Sequence, residues 1–268
     1  MIGGQAAASA RPPKGAGGPP LVLLHGFLGS PASWDAVLAA LPHHGPVHAP
    51  WLPGHGPAAP EPARFEDAAQ AIADSLPEGA LLAAYSLGAR LALAATLRRP
   101  GHACATVLIG GHIGLADRSE RSTRAAQDAQ RAAALRTGDL AAFVTEWEAL
   151  PLFESQRALP VALSALQRAA RLAHDPHSLA WAFEVAGLAL MPDLRDAVGA
   201  ARQPLCFLTG ARDARFGAIA ASLVRPPWVT HRVVPGAGHN LLLEAPAAVA
   251  AALASFMVQA PSPGESRP

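Results

Sequence analysis

The sequence around Ser86 is typical of a reactive serine. It stands in the motif AYSLG, with an apolar run before it and a helix pattern, LGARLALAATLRR, directly after it. A serine on such a strand-to-helix turn has its hydroxyl lifted out of the sheet, and the turn needs small residues on either side. Gly88 meets that need, and Ala84 stands where glycine is more usual. On this motif alone, a serine that merely caps a helix remains the alternative.

Activation of that serine requires an acid and a base, and both occur in a suitable chain order. A serine hydroxyl is inert near neutral pH unless a neighbouring base accepts its proton. Asp213 follows the strand-like run Leu205–Thr209, and His239 follows Val229–Val234. Asp213 would fix the imidazole tautomer and stabilise the imidazolium that forms. In the alternative, Asp213 is a loop carboxylate and His239 a helix-entry residue, and the order serine, acid, histidine is a coincidence.

Two backbone amides are predicted to complete the site as an oxyanion hole. Gly26 follows the first apolar strand and lets the backbone turn, so that the Phe27 N–H can face the serine hydroxyl. The Leu87 N–H, at the start of the helix, is the second donor. Each such donor typically contributes about 3 kcal/mol to lowering the barrier. His25 is interpreted as a structural hydrogen-bonding residue and not as the base.

The other histidines predict no further chemistry. His55, in the turn LPGHG, is interpreted as a residue that fixes a loop, and His174 and His177 as surface residues of a turn. No carboxylate and histidine spacing indicates a metal site. We therefore expect neither a metal nor another cofactor.

Short apolar runs alternate with helical patterns along most of the chain, which predicts a parallel sheet with helices on both faces. The alternation stops in a wholly helical stretch, with helices predicted at Asp117–Arg136, Asp139–Ala149, Gln156–Ala173 and Ser178–Leu190. We interpret this stretch as a cap over the carboxyl edge of the sheet, where open α/β sheets place their ligands. The predicted organisation is a flexible leader at 1–18, a core at 19–114 and 192–259, a helical cap at 115–191 and a disordered tail at 260–268.

Composition narrows the class of protein. The chain has 268 residues, a formal net charge of +1 and no apolar run that approaches the roughly 18 residues of a membrane span. Nothing favours nucleic acid or a membrane as a partner, and the amino terminus has no signal-peptide pattern. Cys104 and Cys206 lie in apolar strand-like runs that suit reduced thiols. We expect a cytoplasmic monomer that acts on a small molecule.

Three arginines could converge on the pocket. Arg90 lies one helical turn after Ser86, Arg124 lies on the first cap helix, and Arg171 ends a later one. Guanidinium groups in these places would bind an anionic substrate. Almost every basic residue of the chain is arginine, with Lys14 the single lysine, so solvated surface arginines remain the alternative, above all for the two on the cap.

Motifs along the chain resemble one family, 2-succinyl-6-hydroxy-2,4-cyclohexadiene-1-carboxylate synthase of menaquinone biosynthesis, which has the α/β-hydrolase fold. The resemblance spans about Leu21 to Phe256. The HGF, serine-turn and GAGHN motifs are common to many α/β-hydrolases, whereas YSLGAR followed by GGHIGL is more particular. The motifs are LHGFLGSPASWD (Leu24–Asp35), LPGHG (Leu52–Gly56), YSLGAR (Tyr85–Arg90), GGHIGL (Gly110–Leu115), MPDL (Met191–Leu194), GARDARF (Gly210–Phe216) and GAGHN (Gly236–Asn240).

The resemblance implies a reaction and a set of binding residues. The reaction is elimination of pyruvate from an enolpyruvyl-bearing cyclohexene with three carboxylates, without hydrolysis. The implied substrate-binding residues are Arg90, Arg124, Arg171 (with Arg168 as the alternative), Tyr85 and Trp147. The alanine-rich cap and Ala84 depart from the family pattern.

Two other interpretations of the same residues remain open. A true hydrolase, either an esterase or a carbon–carbon bond hydrolase, could use the same serine covalently, and fold alone does not separate it from a lyase. A non-catalytic relative that only binds a ligand would have no need of an intact set of serine, acid, histidine and oxyanion donors.

Overall fold

The computed structural model describes residues 9–11, 18–41, 44–56, 63–223 and 227–257. The predicted tail at 260–268 and most of the predicted leader lie outside these ranges. No helix within them is both long enough and apolar enough to cross a membrane.

A seven-stranded sheet organises the chain, in the spatial order β1-β3-β2-β4-β5-β6-β7. The strands are Ser9–Arg11 (β1), Leu21–Leu24 (β2), Val47–Ala49 (β3), Leu81–Tyr85 (β4), Ala105–Ile109 (β5), Leu205–Gly210 (β6) and Val229–Val234 (β7). The strands from β2 to β7 are parallel, and β1 pairs antiparallel with β3. The predicted α/β-hydrolase fold is confirmed.

Helices cover both faces of the sheet and form the cap. They are Asp35–Ala40 (α1), Phe65–Ser75 (α2), Leu87–Arg98 (α3), Arg118–Arg136 (α4), Leu140–Glu148 (α5), Val161–Leu172 (α6), Pro176–Glu184 (α7), Arg195–Ala200 (α8), Ala214–Ala221 (α9), Leu241–Glu244 (α10) and Pro246–Met257 (α11). Short 3-10 helices occupy Pro31–Trp34, Pro151–Ala158 and Leu188–Leu190.

The central strands are apolar at successive positions because both of their faces are covered. In β2, Leu21 and Leu23 pack with α1 and α11, whereas Val22 and Leu24 pack with α2 and α3 on the opposite face. Alternate side chains point to opposite faces of a strand, so a strand with no solvent face needs apolar residues throughout. The two halves of the core therefore hold the sheet rigidly below the site.

The cap comprises α4 to α7 and has a small core of its own, which includes Leu135, Val144 and Leu179. The helix predicted over 156–173 is wrong in its first part. The chain forms the 3-10 helix Pro151–Ala158, and α6 begins only after Pro160, because proline disfavours helical backbone at the residue before it. The predicted helix over 178–190 likewise ends at Glu184 and resumes as a single 3-10 turn.

Three elements lie where none was predicted: β1, α8 and α10. The strand β1 falls inside the predicted flexible leader and pairs with β3 through Ser9–Ala49, Ala10–His48 and Arg11–Val47. Without β1, the strand β3 would leave a row of backbone groups unpaired at the sheet edge, and such pairing depends on backbone rather than side-chain pattern. The short helix α8 also escaped the periodicity argument, because six residues give too little of a helical repeat.

The two ends of the cap meet at one place. The Leu194 N–H donates to the Ile113 carbonyl at 2.7 Å, and Gly114, with φ +95°, lies directly against the Pro192 carbonyl. Arg121, on the first turn of α4, donates to the carbonyls of Leu115, Ala189 and Met191. A single guanidinium thus binds the chain that enters the cap to the chain that leaves it.

Replacing that guanidinium should loosen the cap. We expect Arg121→Ala to lower the free energy of unfolding by about 1–3 kcal/mol, because it leaves partly buried carbonyls without a donor. Urea unfolding at neutral pH measures the change. The matched control is Arg118→Ala, an exposed position on the same helix, which we expect to change stability by less than about 0.5 kcal/mol. Equal losses in the two variants would contradict a specific role for Arg121.

Candidate active site

The backbone at Ser86 is held in an unusual conformation. Ser86 has φ 52° and ψ −106°, between the end of β4 and the start of α3. Its N–H donates to the Ile109 carbonyl at 2.9 Å, which ties the turn to the neighbouring strand. A side chain at Gly88 would place its Cβ 2.5 Å from the His25 carbonyl oxygen. The strained turn therefore depends on glycine two residues after the serine.

The structure brings Ser86, His239 and Asp213 together in one hydrogen-bonded chain. The His239 Nδ1 lies 2.7 Å from the Asp213 Oδ2, and its Nε2 lies 3.2 Å from the Ser86 Oγ. Both His239 and Asp213 are buried. Since the carboxylate can only accept, Nδ1–H donates to Asp213, which leaves Nε2 as an acceptor for the serine proton.

Each member of this chain is fixed by its own element. Asp213 caps α9, where its Oδ1 accepts from the Phe216 N–H at 3.3 Å. The loop around His239 is held by Glu244, whose two carboxylate oxygens accept from the Gly238 N–H at 2.7 Å and the Asn240 N–H at 3.2 Å. Sequence reasoning missed Glu244, because its place on α10 becomes meaningful only once that helix turns back on the loop.

Gly110 makes room for the imidazole. It follows β5 with φ +56°, and a Cβ there would lie 2.6 Å from the His239 Cε1 and 2.9 Å from its Nδ1. Neither the backbone conformation nor the space would accept a larger residue. Gly110 stood in the motif GGHIGL, but the sequence alone did not indicate which histidine would lie against it.

The predicted oxyanion donors, Phe27 and Leu87, both line the cavity beside Ser86. Leu87 begins α3, and the first N–H groups of a helix have no partner within it. Gly26 allows Tyr85 to pack against the turn before Phe27, since a Cβ at Gly26 would lie 2.7 Å from the Tyr85 ring. Leu28, with φ 58°, follows in a left-handed conformation.

Two buried neutral histidines support this loop, as the sequence interpretation of His25 and His55 proposed. Burial lowers the pKa of His25 to about 4, and burial followed by the neighbouring His25 lowers the pKa of His55 well below its usual value. His25 donates from Nδ1 to the Gly26 carbonyl at 2.8 Å and accepts from the Leu52 N–H at Nε2. His55 accepts from the Leu28 N–H at 3.2 Å.

His174 differs from the surface position predicted for it. It is half-buried, its Nδ1 lies 3.1 Å from the His55 carbonyl oxygen, and its ring centroid lies 5.6 Å from that of His55. This histidine therefore connects the cap to the turn that carries His55, which in turn accepts from the Leu28 N–H next to Phe27. His177, directly after the intervening Pro176, is exposed as predicted.

Two adjoining compartments, which share six lining residues, lie between the core and the cap. The inner compartment, about 90 Å³, has Ser86 in its wall, and the outer one, about 460 Å³, has Asp213 in its wall. The inner compartment is lined by Phe27, Ser86, Leu87, Arg90, Gly110, His112, Arg124, Trp147, Leu152, Phe153, Ala182, Phe183, Leu188 and Phe216. The outer compartment is lined by His112, Arg124, Gln127, Arg131, Trp147, Leu150, Pro151, Leu152, Leu188, Arg212, Asp213, Ala214, Arg215 and Phe216.

Two of the three predicted arginines lie on the wall of the inner compartment. Arg90 donates from Nη1 to the Ala186 carbonyl at 2.7 Å. Burial, and then the positive charge of Arg124, lower the pKa of Arg90 to about 9, so it is cationic at neutral pH. Arg124 donates from Nε to the Asp128 carboxylate at 2.8 Å. A small apolar-walled space with two guanidiniums suits an anionic ligand.

Tyr85 and Arg171 lie elsewhere than on the described walls of the two compartments. Tyr85 is buried, with its ring centroid 5.3 Å from that of His239, and burial raises the pKa of its hydroxyl. Arg171 is buried behind Phe153 and pairs with Glu148 at 2.9 Å. Its alternative, Arg168, pairs with the same carboxylate at 2.6 Å. Their substrate-binding roles stay predictions.

Trp147 lines both compartments, and His112 beside it was missed by the sequence argument. Burial, followed by the positive charge of Arg90, lowers the pKa of His112 to about 3. Its Nδ1 accepts from the Gly114 N–H at 3.1 Å, so the proton of the neutral ring is on Nε2.

Among the residues that the structure describes, no group of three or more His, Cys, Asp or Glu is placed to hold a metal ion.

The close approach of Gly110 to His239 generates a prediction about serine reactivity. We expect Gly110→Ala to slow the labelling of Ser86 by a fluorophosphonate probe by about 10²-fold, because misplacing a reacting group by about 1 Å has effects of that size. The labelling rate is measured by intact-protein mass spectrometry.

A matched variant separates this contact from backbone strain. Gly101 also has positive φ (+79°), but a Cβ there would meet no atom within 4 Å. Gly101→Ala should therefore leave the labelling rate within about twofold, although both variants lose stability from the left-handed backbone. Equal labelling rates in the two variants would show that Gly110 is not needed to seat the imidazole.

Comparison with known proteins places this geometry in a family. The model of the alpha/beta hydrolase family matches residues 21–252. The chain is 37% identical to the 2-succinyl-6-hydroxy-2,4-cyclohexadiene-1-carboxylate synthase of Enterobacter sp. (strain 638), over 90% of this chain and 92% of that protein. It is 35% identical to the enzyme of the same name from Escherichia coli O1:K1, over 89% and 94% of the two chains.

Solved structures give the same relationship. The MenH structure from S. aureus superposes with a TM-score of 0.87 at 26% identity, covering 94% of this chain and 97% of the other. An esterase from Thermogutta terrifontis has a TM-score of 0.76 at 23% identity, covering 95% and 93%, and so shares the fold. With relatives of one name at 35% and 37% identity over about nine-tenths of its length, the chain belongs to the 2-succinyl-6-hydroxy-2,4-cyclohexadiene-1-carboxylate synthase family of the α/β-hydrolases.

Proposed function

We propose that this enzyme eliminates pyruvate from 2-succinyl-5-enolpyruvyl-6-hydroxy-3-cyclohexene-1-carboxylate in menaquinone biosynthesis, with Ser86, His239 and Asp213 as its catalytic residues. The observation that carries the proposal is the presence of Arg90 and Arg124 on the wall of the small compartment that also contains Ser86. The substrate has three carboxylates, so cations beside the reacting serine suit it, whereas an ordinary neutral ester has no use for them.

The reaction begins with removal of a proton from the ring carbon next to the succinyl ketone. His239 accepts the Ser86 proton across the 3.2 Å contact, and the serine oxygen takes the carbon-bound proton. The electron pair of the broken C–H bond moves through the ring double bond and expels the enolpyruvyl oxygen. The products are a conjugated cyclohexadiene and enolpyruvate, which becomes pyruvate on protonation. A positioned base of this kind typically contributes about 10² to 10⁴ in rate.

Charge develops on the ketone oxygen during this step. In the proposed pose, that oxygen lies between the Phe27 and Leu87 amides, which would stabilise the enolate. Asp213, 2.7 Å from the His239 Nδ1, would stabilise the imidazolium that holds the proton. Arg90 and Arg124 would bind carboxylates that are present before and after the step, so they contribute to affinity and orientation.

A serine hydrolase is the second candidate, because the same contacts would also activate Ser86 as a nucleophile. An esterase or a carbon–carbon bond hydrolase would use the 3.2 Å contact between Ser86 and His239 to form a covalent acyl-enzyme. The two candidates differ in the fate of the serine oxygen and in their need for water.

The cellular setting is also part of the proposal. Cys104 and Cys206 are not joined in a disulfide, as suits a reducing compartment. We propose a cytoplasmic enzyme that acts as a monomer, binds a small polyanionic substrate, and needs no metal or other cofactor. Sedimentation of the purified protein as a 27.4 kDa species tests the monomer.

The first prediction concerns Arg90. We expect Arg90→Ala to lower kcat/KM for the enolpyruvyl substrate at least about tenfold and to leave hydrolysis of a neutral aryl acetate almost unchanged. The reason is that a lost hydrogen bond to a carboxylate in a half-buried site costs about 2 kcal/mol. Steady-state kinetics on the two substrates measure the split.

Arg98 provides the control for this experiment. It is an exposed residue near the end of the same helix, outside the cavity, so Arg98→Ala should leave both activities within about twofold. Equal losses on both substrates in Arg90→Ala would instead assign Arg90 a purely structural role.

The second prediction separates the lyase from the hydrolase. Elimination consumes no water and forms no acyl-enzyme, so turnover in oxygen-labelled water should leave the carboxylates of the cyclohexadiene product unlabelled. Intact-protein mass spectra during turnover should show no substrate-derived adduct on Ser86. Label above background in those carboxylates, or such an adduct, would make the enzyme a hydrolase. Pyruvate itself is unsuitable for the measurement, because its keto oxygen exchanges with water unaided.

A further inference from the structure

The outer compartment has a concentration of positive charge, of which the proposed function uses only Arg124. Four arginines line it: Arg124, Arg131, Arg212 and Arg215. Among its described lining residues the carboxylate is that of Asp213, which already accepts from His239. A cationic space of about 460 Å³ that adjoins the compartment of Ser86 favours an anionic ligand.

Arg131 differs from the other arginines that were not predicted, because it is held in place on several sides. Its guanidinium carbon lies 5.7 Å from the centroid of the Trp147 ring and 5.9 Å from that of Phe183. Its Nη1 lies 3.4 Å from the Asp128 Oδ1, and 28% of its side chain is exposed. In contrast, Arg212 and Arg215 are exposed, and Arg215 lies 3.6 Å from the Glu120 carboxylate.

Asp128 orients two guanidiniums at once. Its Oδ1 accepts from the Arg124 Nε at 2.8 Å as well as from Arg131, and only 5% of its side chain is exposed. One buried carboxylate beside two arginines leaves a net positive charge at the boundary between the compartments. Because Asp128 uses the Nε of Arg124, the two terminal nitrogens of that guanidinium remain available for a forked contact with a carboxylate.

The outer compartment adjoins the inner one closely enough for one ligand to occupy both. Six residues line both of them: His112, Arg124, Trp147, Leu152, Leu188 and Phe216. With about 460 Å³ against about 90 Å³, the outer compartment offers most of the space for the charged arms of a substituted cyclohexene. A carboxylate that extends past Arg124 into the outer compartment approaches Arg131.

We propose that Arg131, held by Asp128 beside Arg124, binds a second carboxylate of the substrate in the outer compartment. Asp128 is a positioning residue in this arrangement, and Arg131 is a binding residue. The identity of the ligand rests on the proposed function, but the binding of a carboxylate at this place can be measured without turnover.

The experiment uses two pairs of probes, each with and without the charge. The acid 4-oxo-4-phenylbutanoate carries the succinyl arm, and 1-phenylbutan-1-one is its neutral partner. The acid 2-phenoxyprop-2-enoate carries the enolpyruvyl arm, and its methyl ester is the neutral partner. Dissociation constants are measured by ligand-observed NMR for the parent enzyme and for Arg131→Gln, Arg131→Lys and Arg118→Gln.

We expect Arg131→Gln to weaken binding of at least one acid by about five- to tenfold and to leave both neutral partners unchanged, because a charge-assisted contact is lost. Arg131→Lys should fall between the parent and Arg131→Gln, since a lysine keeps the charge but not the fork. The acid that loses affinity identifies which arm occupies the outer compartment. Arg118→Gln removes the same charge from the exposed start of α4 and should change nothing.

Three results would overturn the proposal. They are unchanged binding of both acids by Arg131→Gln, an equal loss in Arg118→Gln, and acids that bind the parent enzyme no better than their neutral partners. Melting temperatures of all variants verify that each one is folded. A failure of the proposed lyase activity appears separately, in the labelled-water experiment, and leaves these binding constants interpretable.

Discussion

The hydrogen bond between His239 and Asp213 is the interaction on which the rest of the site depends. Four neighbouring strands contribute to it in order: Ser86 follows β4, Gly110 follows β5, Asp213 follows β6 and His239 follows β7. The imidazole is almost completely buried and is bonded on both nitrogens. A buried polar ring loses stability unless both nitrogens are satisfied. The strand order brings the three side chains together, Gly110 leaves room for the imidazole, and Glu244 holds the backbone on either side of His239.

The arginines that line the inner compartment with Ser86 determine the electrostatic character of the pocket. Arg90 and Arg124 add positive charge to a largely apolar space, and the same charges help to keep His112 neutral. Arg124 is paired with Asp128, whereas Arg90 donates to the Ala186 backbone carbonyl, so the buried charge of Arg90 is unfavourable until an anion joins it. A polyanionic ligand therefore gains affinity by relieving a charge imbalance built into the folded protein, and its binding energy can be used to orient the reacting carbon over Ser86.

The parts of this picture that could be predicted from the sequence are those with local causes. The serine turn, the acid after β6 and the histidine after β7 each depend on a short motif at a strand end, and strand order then brings them together. Arg171 shows where that reasoning stops. Its position is set by Glu148, 23 residues earlier in sequence, and no local pattern reveals that ion pair. Arg131 was missed for another reason. Because almost every basic residue of this chain is arginine, no single arginine stands out in the sequence.

The meeting of the cap's two ends has a consequence for how such an enzyme can diversify. Because Ile113 and Leu194 are joined by a hydrogen bond at 2.7 Å, the intervening segment begins and ends at the same place on the core. Insertions, deletions or wholesale replacement of that segment need not move β5 relative to β6. Ser86, Asp213 and His239 can thus be inherited unchanged while the cap is exchanged. New substrate specificities can then arise by modular evolution of the cap alone.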